Sequence, residues 1–367
     1  MTIILRVVLV LILLLPLALH ALAEGREISV YTSVPKWGQM PDRFEIKGQA
    51  IPEDAVAADF TITGQAAGWE NASTHPFSCG VVSVAASADG WTLVPERFPE
   101  KYFYVRALEV TCAKYPELSF TFEDIAHTYT AVADEFTLVE EHESRLSARV
   151  FTPGTEGPLP VVIVFHGYGD PENLLSYRTA TAWAEPENQA IRPCTVVAPV
   201  IINTFYTSEI ARAKIFAGLM RYIDSLIESG QADPKRIYVM GNSFGGAAAL
   251  ELAEQYPDKI AAVLSLCPAT MYFPVAFAKL GELTDMPVTV AQAENDETIP
   301  SRAGKGVAEA LTAAGNPNVT LRIYSDEEMT ASGAVFGQEQ TYSFHHVELA
   351  VMEDPAYAEW LFSQAKE

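Results

Sequence analysis

The chain has 367 residues, 49% of them hydrophobic, which is enough to build a core in each of two domains. Its formal net charge of -23 at pH 7 repels a phosphate backbone, and this excludes nucleic acid as a partner. The charge does not identify which neutral substrate the protein uses.

Residues 1–23 predict a secretory signal peptide. Arg6 precedes a long Leu/Ile/Val stretch, and Ala21-Leu22-Ala23 is typical of a small-residue cleavage site. An uncleaved membrane anchor is the alternative, because the apolar run is long and the charged region before it is short. With cleavage near Ala23, we expect a secreted, periplasmic or cell-surface protein without a membrane segment.

Residues 24–133 predict a small all-β sandwich of immunoglobulin type. Alternating segments such as "RFEIKGQ" and "YFYVRALEVTC" are separated by Gly, Pro, Asn and Asp. Period-two alternation in pieces of strand length, with turn residues between them, is typical of such a sandwich. This domain is also the candidate surface for forming a homo-oligomer.

Residues 134–367 predict an open, mostly parallel sheet with helices on both faces. Apolar stretches such as "LPVVIVF", "RIYVM" and "MPVTVAQA" alternate with intervals of helical length. Ser208 and Gly230 are typical of the start and end of one helix, and Pro355 is typical of the first residue of the last one.

The four cysteines predict one disulfide bond and two buried thiols. Cys79 and Cys112 both fall in strand-like stretches of an exported domain and are candidates for a disulfide. Cys194 and Cys267 lie on separate strands of the parallel sheet, too far apart to be bonded.

Gly241-Asn242-Ser243-Phe244-Gly245 has the form G-x-S-x-G, a common chance match that gains meaning from its context. The apolar strand "RIYVM" precedes it and the helix-favouring "AAALELAEQY" follows, so the serine would lie on a sharp turn that exposes its hydroxyl. A structural turn of small residues is the alternative. The context favours Ser243 as a nucleophile.

A nucleophilic serine needs a general base and an acid that orients it, and after such a turn both follow the serine in the chain. "AENDETIP" follows a late strand and offers Asp296, with Glu294 as the alternative acid. His345 and His346 are the only histidines after Asp296, so one of them is the candidate base. A metal site at this histidine pair is not expected, because no Cys or further His with ligand spacing accompanies it.

The loop after "VVIVF" predicts part of an oxyanion hole. His166-Gly167-Tyr168-Gly169 follows this strand directly. Backbone amides fixed before the reaction stabilise the charge of a tetrahedral intermediate, and we assign the amides of Tyr168 and Phe244 to this role. His166 is expected to hold the loop rather than to act as a base.

The blocks "LPVVIVFHGYGD", "KRIYVMGNSFGGAAALELAEQYPDK", "AENDETIP" and "HHVELAVMEDPAYAEWLFSQ" resemble secreted bacterial α/β-hydrolase esterases related to feruloyl esterases and polyhydroxyalkanoate depolymerases. The resemblance covers residues 134–367, and some members carry an N-terminal immunoglobulin-like domain. It implies Ser243 as the nucleophile and Asp296 as the acid. It also implies His345 as the base, since the histidine of the family stands about ten residues before an Asn/Asp-Pro pair, here Asp354-Pro355.

Two departures from the family pattern affect the walls of the site. The bulky Tyr168 and then Asp170 stand in the oxyanion loop, and "AQAEN" replaces the usual glycine or histidine run before the acid. Neither change removes Ser243, Asp296 or His345. The identity of the substrate therefore does not carry over from the family.

The sequence predicts a serine carboxylesterase that uses no cofactor and takes small-molecule or polysaccharide-linked esters with short or aromatic acyl groups. The same residues suit a serine peptidase, and a carbohydrate-binding or adhesion protein on a hydrolase scaffold is a third reading. Aromatic side chains on loops at the carboxyl ends of the strands are candidates for substrate binding. They are Tyr168, Phe205, Tyr206, Phe273, Phe277 and Phe344.

Overall fold

The computed structural model describes residues 25–35, 38–67, 74–98, 104–169, 174–175, 177–272, 277–334 and 343–367. The signal-peptide prediction at residues 1–23 and the substrate-binding prediction at Phe273 lie outside these residues. Among the described helices, none combines the length and apolar character needed to cross a membrane.

The N-terminal part of the described chain is all-β. Its strands are β1 (Glu27–Ser33), β2 (Met40–Lys47), β3 (Phe60–Ala67), β4 (His75–Cys79), β5 (Val81–Ala86), β6 (Gly90–Pro95), β7 (Tyr104–Cys112), β8 (Phe120–Thr121) and β9 (Ile125–Thr130). They form two sheets, ordered β5-β6-β2-β1-β9 and β4-β3-β7-β8.

The two sheets share one hydrophobic core, because alternate residues of each strand point inward. In β2, Phe44 and Ile46 are buried while Lys47 is exposed. Rings from the two sheets meet in this core: Phe60 of β3 lies 5.6 Å from Trp91 of β6, between ring centroids. The prediction of an all-β unit agrees with these strands, and the immunoglobulin type stays a prediction.

The predicted disulfide between Cys79 and Cys112 is wrong. Both cysteines are free thiols, and they pair with opposite sides of β3: Cys79 is opposite Ile62, and Cys112 is opposite Phe60. Two strand spacings of about 4.8 Å therefore separate them, whereas a disulfide requires Cα atoms within about 7 Å. Cys194 is a buried free thiol, as predicted.

The C-terminal part forms one eight-stranded sheet among the described residues. Its strands are β10 (Thr137–Glu141), β11 (Leu146–Phe151), β12 (Leu159–Phe165), β13 (Thr195–Pro199), β14 (Ala232–Asn242), β15 (Ala262–Leu266), β16 (Val288–Ala293) and β17 (Val319–Tyr324). The order is β10-β11-β13-β12-β14-β15-β16-β17, and all neighbours from β13 to β17 are parallel. The prediction of a mostly parallel sheet is confirmed.

Helices cover both faces of this sheet. They are α1 (Arg178–Ala184), α2 (Pro186–Ile191), α3 (Asn203–Thr207), α4 (Glu209–Glu228), α5 (Phe244–Gln255), α6 (Phe277–Leu280), α7 (Arg302–Ala313), α8 (Asp326–Ala331), α9 (Val347–Glu353) and α10 (Pro355–Ser363). The apolar sides of α4, α5 and α7 pack on one face, and those of α1, α8, α9 and α10 pack on the other.

The predicted helix signals act as expected. Ser208 caps α4, its Oγ accepting a hydrogen bond from the N–H of Ala211 at 3.2 Å, and Gly230 follows the helix with φ +75°. Pro355 begins α10. Because β12, β14, β15 and β16 are parallel neighbours, the loops that follow them converge at one edge of the sheet, where the candidate site lies.

Candidate active site

Ser243 lies on the turn between β14 and α5 in a strained conformation. Its φ of 56° and ψ of −119° are rare for a residue with a Cβ atom. Such a backbone costs on the order of 1–3 kcal/mol and persists only when its surroundings hold it. Here the Ser243 N–H donates to the carbonyl of Leu266 at 2.9 Å, and the Ser243 carbonyl accepts from the N–H of Ala269 at 2.9 Å.

Two glycines make this turn sterically feasible. A Cβ atom on Gly241 would lie 2.4 Å from the carbonyl carbon of Gly245, and one on Gly245 would lie 2.2 Å from the carbonyl oxygen of Phe165. Both distances are far below van der Waals contact, so the strand and the helix approach closely only with glycine at these positions. Close packing of the backbone therefore explains why the first and last residues of the G-x-S-x-G pattern are glycines.

Asp296 and His345 form a hydrogen-bonded pair. Nδ1 of His345 donates to Oδ2 of Asp296 at 2.8 Å, and the Asp296 side chain is fully buried. Oδ1 of Asp296 accepts from the backbone N–H groups of Thr298 at 2.9 Å and Ile299 at 2.8 Å. The carboxylate is therefore fixed by the loop after β16 and in turn fixes the imidazole ring.

The environment of His345 acts on its pKa in opposing directions. Burial is the largest effect and lowers the pKa, because it disfavours the imidazolium. The hydrogen bond to Asp296 and the charges of Asp296, Glu348 and Glu297 outweigh burial, so the pKa of His345 is raised above its usual value. Negative charge around this ring favours its protonated form.

The second histidine has a carboxylate partner of its own. Nδ1 of His346 donates to Oε1 of Glu348 at 3.0 Å, and Glu348 lies in the first turn of α9. Glu294, the alternative acid, is exposed on the loop after β16. The structure thus pairs His345 with Asp296 and His346 with Glu348, and sequence reasoning gave no signal for Glu348.

The loop after β12 packs directly against the serine turn. A Cβ atom on Gly167 would lie 3.4 Å from Cβ of Ser243. Tyr168 follows Gly167, and Phe244 is the first residue of α5, whose leading N–H groups have no partner within the helix. The two amides assigned to the oxyanion hole therefore belong to segments that flank Ser243.

His166 holds this loop through both of its ring nitrogens. Nδ1 donates to the carbonyl of Gly167 at 2.7 Å, and Nε2 accepts from the N–H of Ile201 at 2.9 Å. Donating with one nitrogen and accepting with the other requires the neutral imidazole. The hydroxyl of Tyr206 also donates to the carbonyl of Gly167, at 3.0 Å.

A cavity of about 310 Å³ opens beside Ser243. Its wall includes Ser243, His345 and His346, so the serine and both candidate bases face one space. The remaining wall is mostly apolar or aromatic, and it includes Val164, Tyr168, Leu174, Tyr177, Ala180, Phe244, Tyr272 and Ile299. Such a site suits a small apolar group held next to a few polar ones.

The aromatic residues expected to bind substrate have different positions. Tyr168 lines the cavity and is 71% exposed, and Tyr206 packs behind it with ring centroids 5.4 Å apart. Phe205 is fully buried in the core, so it does not form the cavity wall and this expectation is corrected. Phe344 is partly buried against the core, the described cavity wall includes neither Phe344 nor Tyr206, and their substrate-binding roles stay predictions. The side chain of Phe277, the sixth candidate, lies outside the described part of the structure.

Tyr177 and Tyr272 line the cavity but were not singled out from the sequence. Tyr272 follows the end of β15 by a few residues, and its ring stacks on Phe244 with centroids 6.3 Å apart. The sequence position of Tyr272 shortly after a parallel strand could have identified it as a cavity residue, because the loops after such strands surround the site in this kind of sheet.

Cys267 lies beside the Asp296–His345 pair. The candidate ligand atoms of these three residues are all within 4.8 Å of one another, the one such group of three among the described residues. Burial and nearby carboxylates raise the pKa of the Cys267 thiol well above its usual value, so the thiolate that a metal requires is disfavoured. Nδ1 and Oδ2 also bind each other, so the chemistry of this group does not favour a metal centre.

The strand, strained serine turn and helix on a mostly parallel sheet define the α/β-hydrolase class. Residues 148–338, slightly more than half of the chain, match the family described as phospholipase/carboxylesterase. The chain belongs to this family. It is a serine hydrolase acting on carboxylic ester bonds, and the prediction of such an enzyme is confirmed.

Solved structures of esterases are similar to this chain. A thermostable esterase shares 19% identity with a TM-score of 0.71, covering 93% of this chain and 100% of its own. Est1E from Butyrivibrio proteoclasticus shares 15% identity with a TM-score of 0.45, covering 62% of this chain and 98% of its own. A ferulic acid esterase from Anaeromyces mucronatus shares 14% identity with a TM-score of 0.44, covering 59% and 87%. The first of these shows a common fold, and a comparison with curated proteins finds no match.

Proposed function

We propose that this protein is an exported carboxylesterase with Ser243 as nucleophile, His345 as general base and Asp296 as the acid that orients it. One observation supports this proposal above the others: His345, bonded to the buried Asp296 at 2.8 Å, lines the same cavity as the strained Ser243. A nucleophile, a base within the same site and a buried acid behind the base are the three parts that acyl transfer requires.

In the proposed reaction, Oγ of Ser243 attacks the ester carbonyl while Nε2 of His345 accepts its proton. Negative charge then develops on the former carbonyl oxygen, and the amides of Tyr168 and Phe244 stabilise it. The imidazolium donates its proton to the leaving alcohol, which leaves an acyl-enzyme. Water, deprotonated by the same imidazole, releases the acid and restores Ser243.

The other histidine–carboxylate pair, His346 with Glu348, is the rival for the role of base. Asp296 is the better supported acid, because fixed donors hold both of its oxygens. Two backbone N–H groups donate to Oδ1, and the amide of Gln292 donates to Oδ2 at 3.3 Å beside His345. A carboxylate held by fixed donors keeps its partner in one orientation, which catalysis by proton transfer requires.

The cavity supports a substrate with a short or aromatic acyl group. Its volume of about 310 Å³ and its apolar wall suit such a group, and the exposed Tyr168 at its edge suits contact with an alcohol portion outside. The net charge of -23 disfavours anionic polymers and anionic lipid surfaces. We therefore propose neutral esters, free or linked to polysaccharide.

The test is hydrolysis of chromogenic esters from acetate to octanoate, and of a ferulate, by the wild type and by Ser243→Ala. We expect ester turnover that falls by about 10⁴-fold or more in the variant, and labelling of the wild type alone by a serine-reactive phosphonate. Ser363→Ala, which changes an exposed serine in α10, is the matched control and keeps full activity.

Other outcomes of this experiment identify the alternatives. Turnover of matched amides but not esters would identify a peptidase, and absence of both turnover and phosphonate labelling would identify a binding protein on a hydrolase scaffold. The chain-length profile measures the acyl side of the cavity.

Export and the N-terminal domain are further parts of the proposal. Residues 1–23 would be cleaved near Ala23, which N-terminal sequencing of the exported protein tests directly. Residues 24–133 would form an immunoglobulin-like domain that serves the catalytic domain, residues 134–367, by binding polymer or forming a homo-oligomer. Deletion up to Ala133 should then reduce turnover of polymer esters or change the oligomeric state while small-ester turnover persists.

A further inference from the structure

Glu348 is a buried carboxylate with an incomplete set of hydrogen bonds. Its side chain is 3% exposed, and it lies on the cavity wall. Oε1 accepts from Nδ1 of His346 at 3.0 Å, whereas Oε2 has no hydrogen-bond partner among the described residues. Burying a carboxylate this way is unfavourable unless a positive charge nearby compensates it.

Glu348 bonds directly to His346, and its charge also acts on the proposed base, His345. The rings of His345 and His346 lie 5.8 Å apart between centroids, and Glu348 holds the second ring. The charge of Glu348 raises the pKa of both His345 and Cys267, so Glu348 interacts electrostatically with the proposed base and with a neighbour of that base. The titratable groups around His345 are Cys267 after β15, Asp296 and Glu297 after β16, and His346 and Glu348 at the start of α9.

We propose that Glu348 is a positioning residue that stabilises the protonated form of His345 during catalysis. This inference rests on the proposed function of Ser243 and His345. When Oγ of Ser243 transfers its proton to Nε2 of His345, the ring becomes positive while its Nδ1–H stays bonded to Asp296. Glu348 gains no proton. It supplies a second negative charge in a buried site, where electrostatic attraction is weakly screened.

Glu297 provides an internal comparison, because it acts on the same ring from an exposed position. It raises the pKa of His345 from the loop after β16, and its carboxylate accepts from the backbone N–H of Phe344 at 3.1 Å. At ordinary ionic strength, salt largely screens interactions between exposed charges that lie more than about 8–10 Å apart, and high salt shortens this distance; buried charges are screened much less. The two carboxylates should therefore differ in the salt dependence of their effects.

The experiment measures kcat, KM and the pH profile of kcat/KM for the full-length wild type, Glu348→Gln, Glu348→Asp and Glu297→Gln, with a chromogenic ester at low and high salt. Glu348→Gln should lower the pKa of the acidic limb by about one unit and lower kcat about three- to tenfold, with KM little changed. Salt should not alter this shift. Glu348→Asp should keep the wild-type limb, and Glu297→Gln should show a smaller shift that high salt removes.

Three results would overturn the inference. One is an unchanged acidic limb in Glu348→Gln beside an altered melting temperature, which describes a structural role. Another is a change in KM alone, which makes Glu348 a specificity residue. The third is an equal shift of the acidic limb in Glu348→Asp and Glu348→Gln, which would mean that the length of the side chain matters and its charge does not. If Glu348→Gln does not fold, Glu348→Met removes the charge in its place.

Failure of the proposed function gives a different result. In that case wild-type turnover would not depend on Ser243, whatever the Glu348 variants do. Ester turnover that requires Ser243 but is insensitive to Glu348 would overturn this inference alone.

Discussion

The backbone N–H of Ile201 donates to Nε2 of His166 at 2.9 Å, and this bond ties the segment after β13 to the loop after β12. The other ring nitrogen of His166 donates to the carbonyl of Gly167, the residue that packs against Cβ of Ser243. A single neutral imidazole thus connects two loops at the site. It orients the peptide group between Gly167 and Tyr168, which carries the amide assigned to the oxyanion hole.

His166→Ala should therefore impair catalysis without removing a proton-transfer group. Loss of loop orientation weakens oxyanion stabilisation, and kcat should fall about 10- to 100-fold with KM changed less than about threefold. The acidic limb of the pH profile should stay where it is. His127→Ala, which changes an exposed histidine of the sandwich, is the control, and wild-type kcat in His166→Ala would show that the loop needs no such anchor.

Asp296→Asn should reduce kcat by about 10³- to 10⁴-fold, because the amide stabilises the wrong tautomer of His345 and no longer compensates its charge. Since the pKa of His345 is raised in the wild type, the acidic limb of kcat/KM should lie above about 6.5. Removing the Asp296 charge should move that limb to lower pH. Glu294→Gln changes the exposed neighbouring acid and should behave as the wild type, whereas equal losses in both variants would contradict the assignment.

Glu254 makes the stability of the catalytic domain dependent on pH. Burial is the main reason that its pKa is raised to about 8, with the charge of Glu251 adding to it. A carboxyl whose pKa is higher in the folded than in the unfolded state binds more protons when folded. Stability is therefore lost as the pH rises from the unfolded pKa of about 4.3 through about 8.

Glu254→Gln should remove this loss and stabilise the protein at pH 9 by roughly 1–2 kcal/mol relative to the wild type, after allowance for partial exposure. At pH 4 the two proteins should unfold at similar temperatures. Thermal unfolding across pH 4–9 measures the difference, and Glu309→Gln on α7 is a control whose carboxylate is exposed. A wild-type stability curve that does not fall between pH 5 and 8 would refute the prediction.

Arg212 of α4 and Glu251 of α5 form a buried ion pair, with Nε and Oε2 separated by 2.9 Å and both side chains less than 10% exposed. Arg212→Met should destabilise the protein by about 3–5 kcal/mol, because it leaves a buried carboxylate unpaired. On the same helix, Arg221 makes an ion pair with Glu141 and is half exposed. Arg221→Met is the control and should lose less than about 1 kcal/mol in urea unfolding. Equal losses in the two variants would mean that burial of the Arg212 pair has no energetic consequence.

The features predictable from sequence are those that depend on neighbouring residues. The turn at Ser243 follows from a strand, two glycines and a helix that adjoin in the chain, and the sheet class follows from alternating apolar stretches and helical intervals. Asp296 was accessible because a loop after a parallel strand lies at one known edge of the sheet. Each of these inferences uses local pattern or a general rule of topology.

The features that sequence reasoning missed depend on which distant segments meet. The register of β4 and β7 against β3 separates Cys79 from Cys112, and no local pattern encodes that register. Phe205 and Tyr168 are both aromatic residues near loops, yet one is buried in the core and the other lines the cavity. Glu348 follows His346 closely in the chain, but its burial becomes evident only when α9 packs against the sheet.

The bond between His345 and Asp296 joins residues 49 positions apart, and the remaining parts of the site come from the loops after β12 and β14. Chain entropy opposes such distant contacts until most of the sheet has formed, so we expect them to arise late in folding. A partly folded chain therefore has a serine but no reactive site around it. Hydrolytic activity should therefore report complete folding, and a newly made chain should not hydrolyse esters before its sheet has formed.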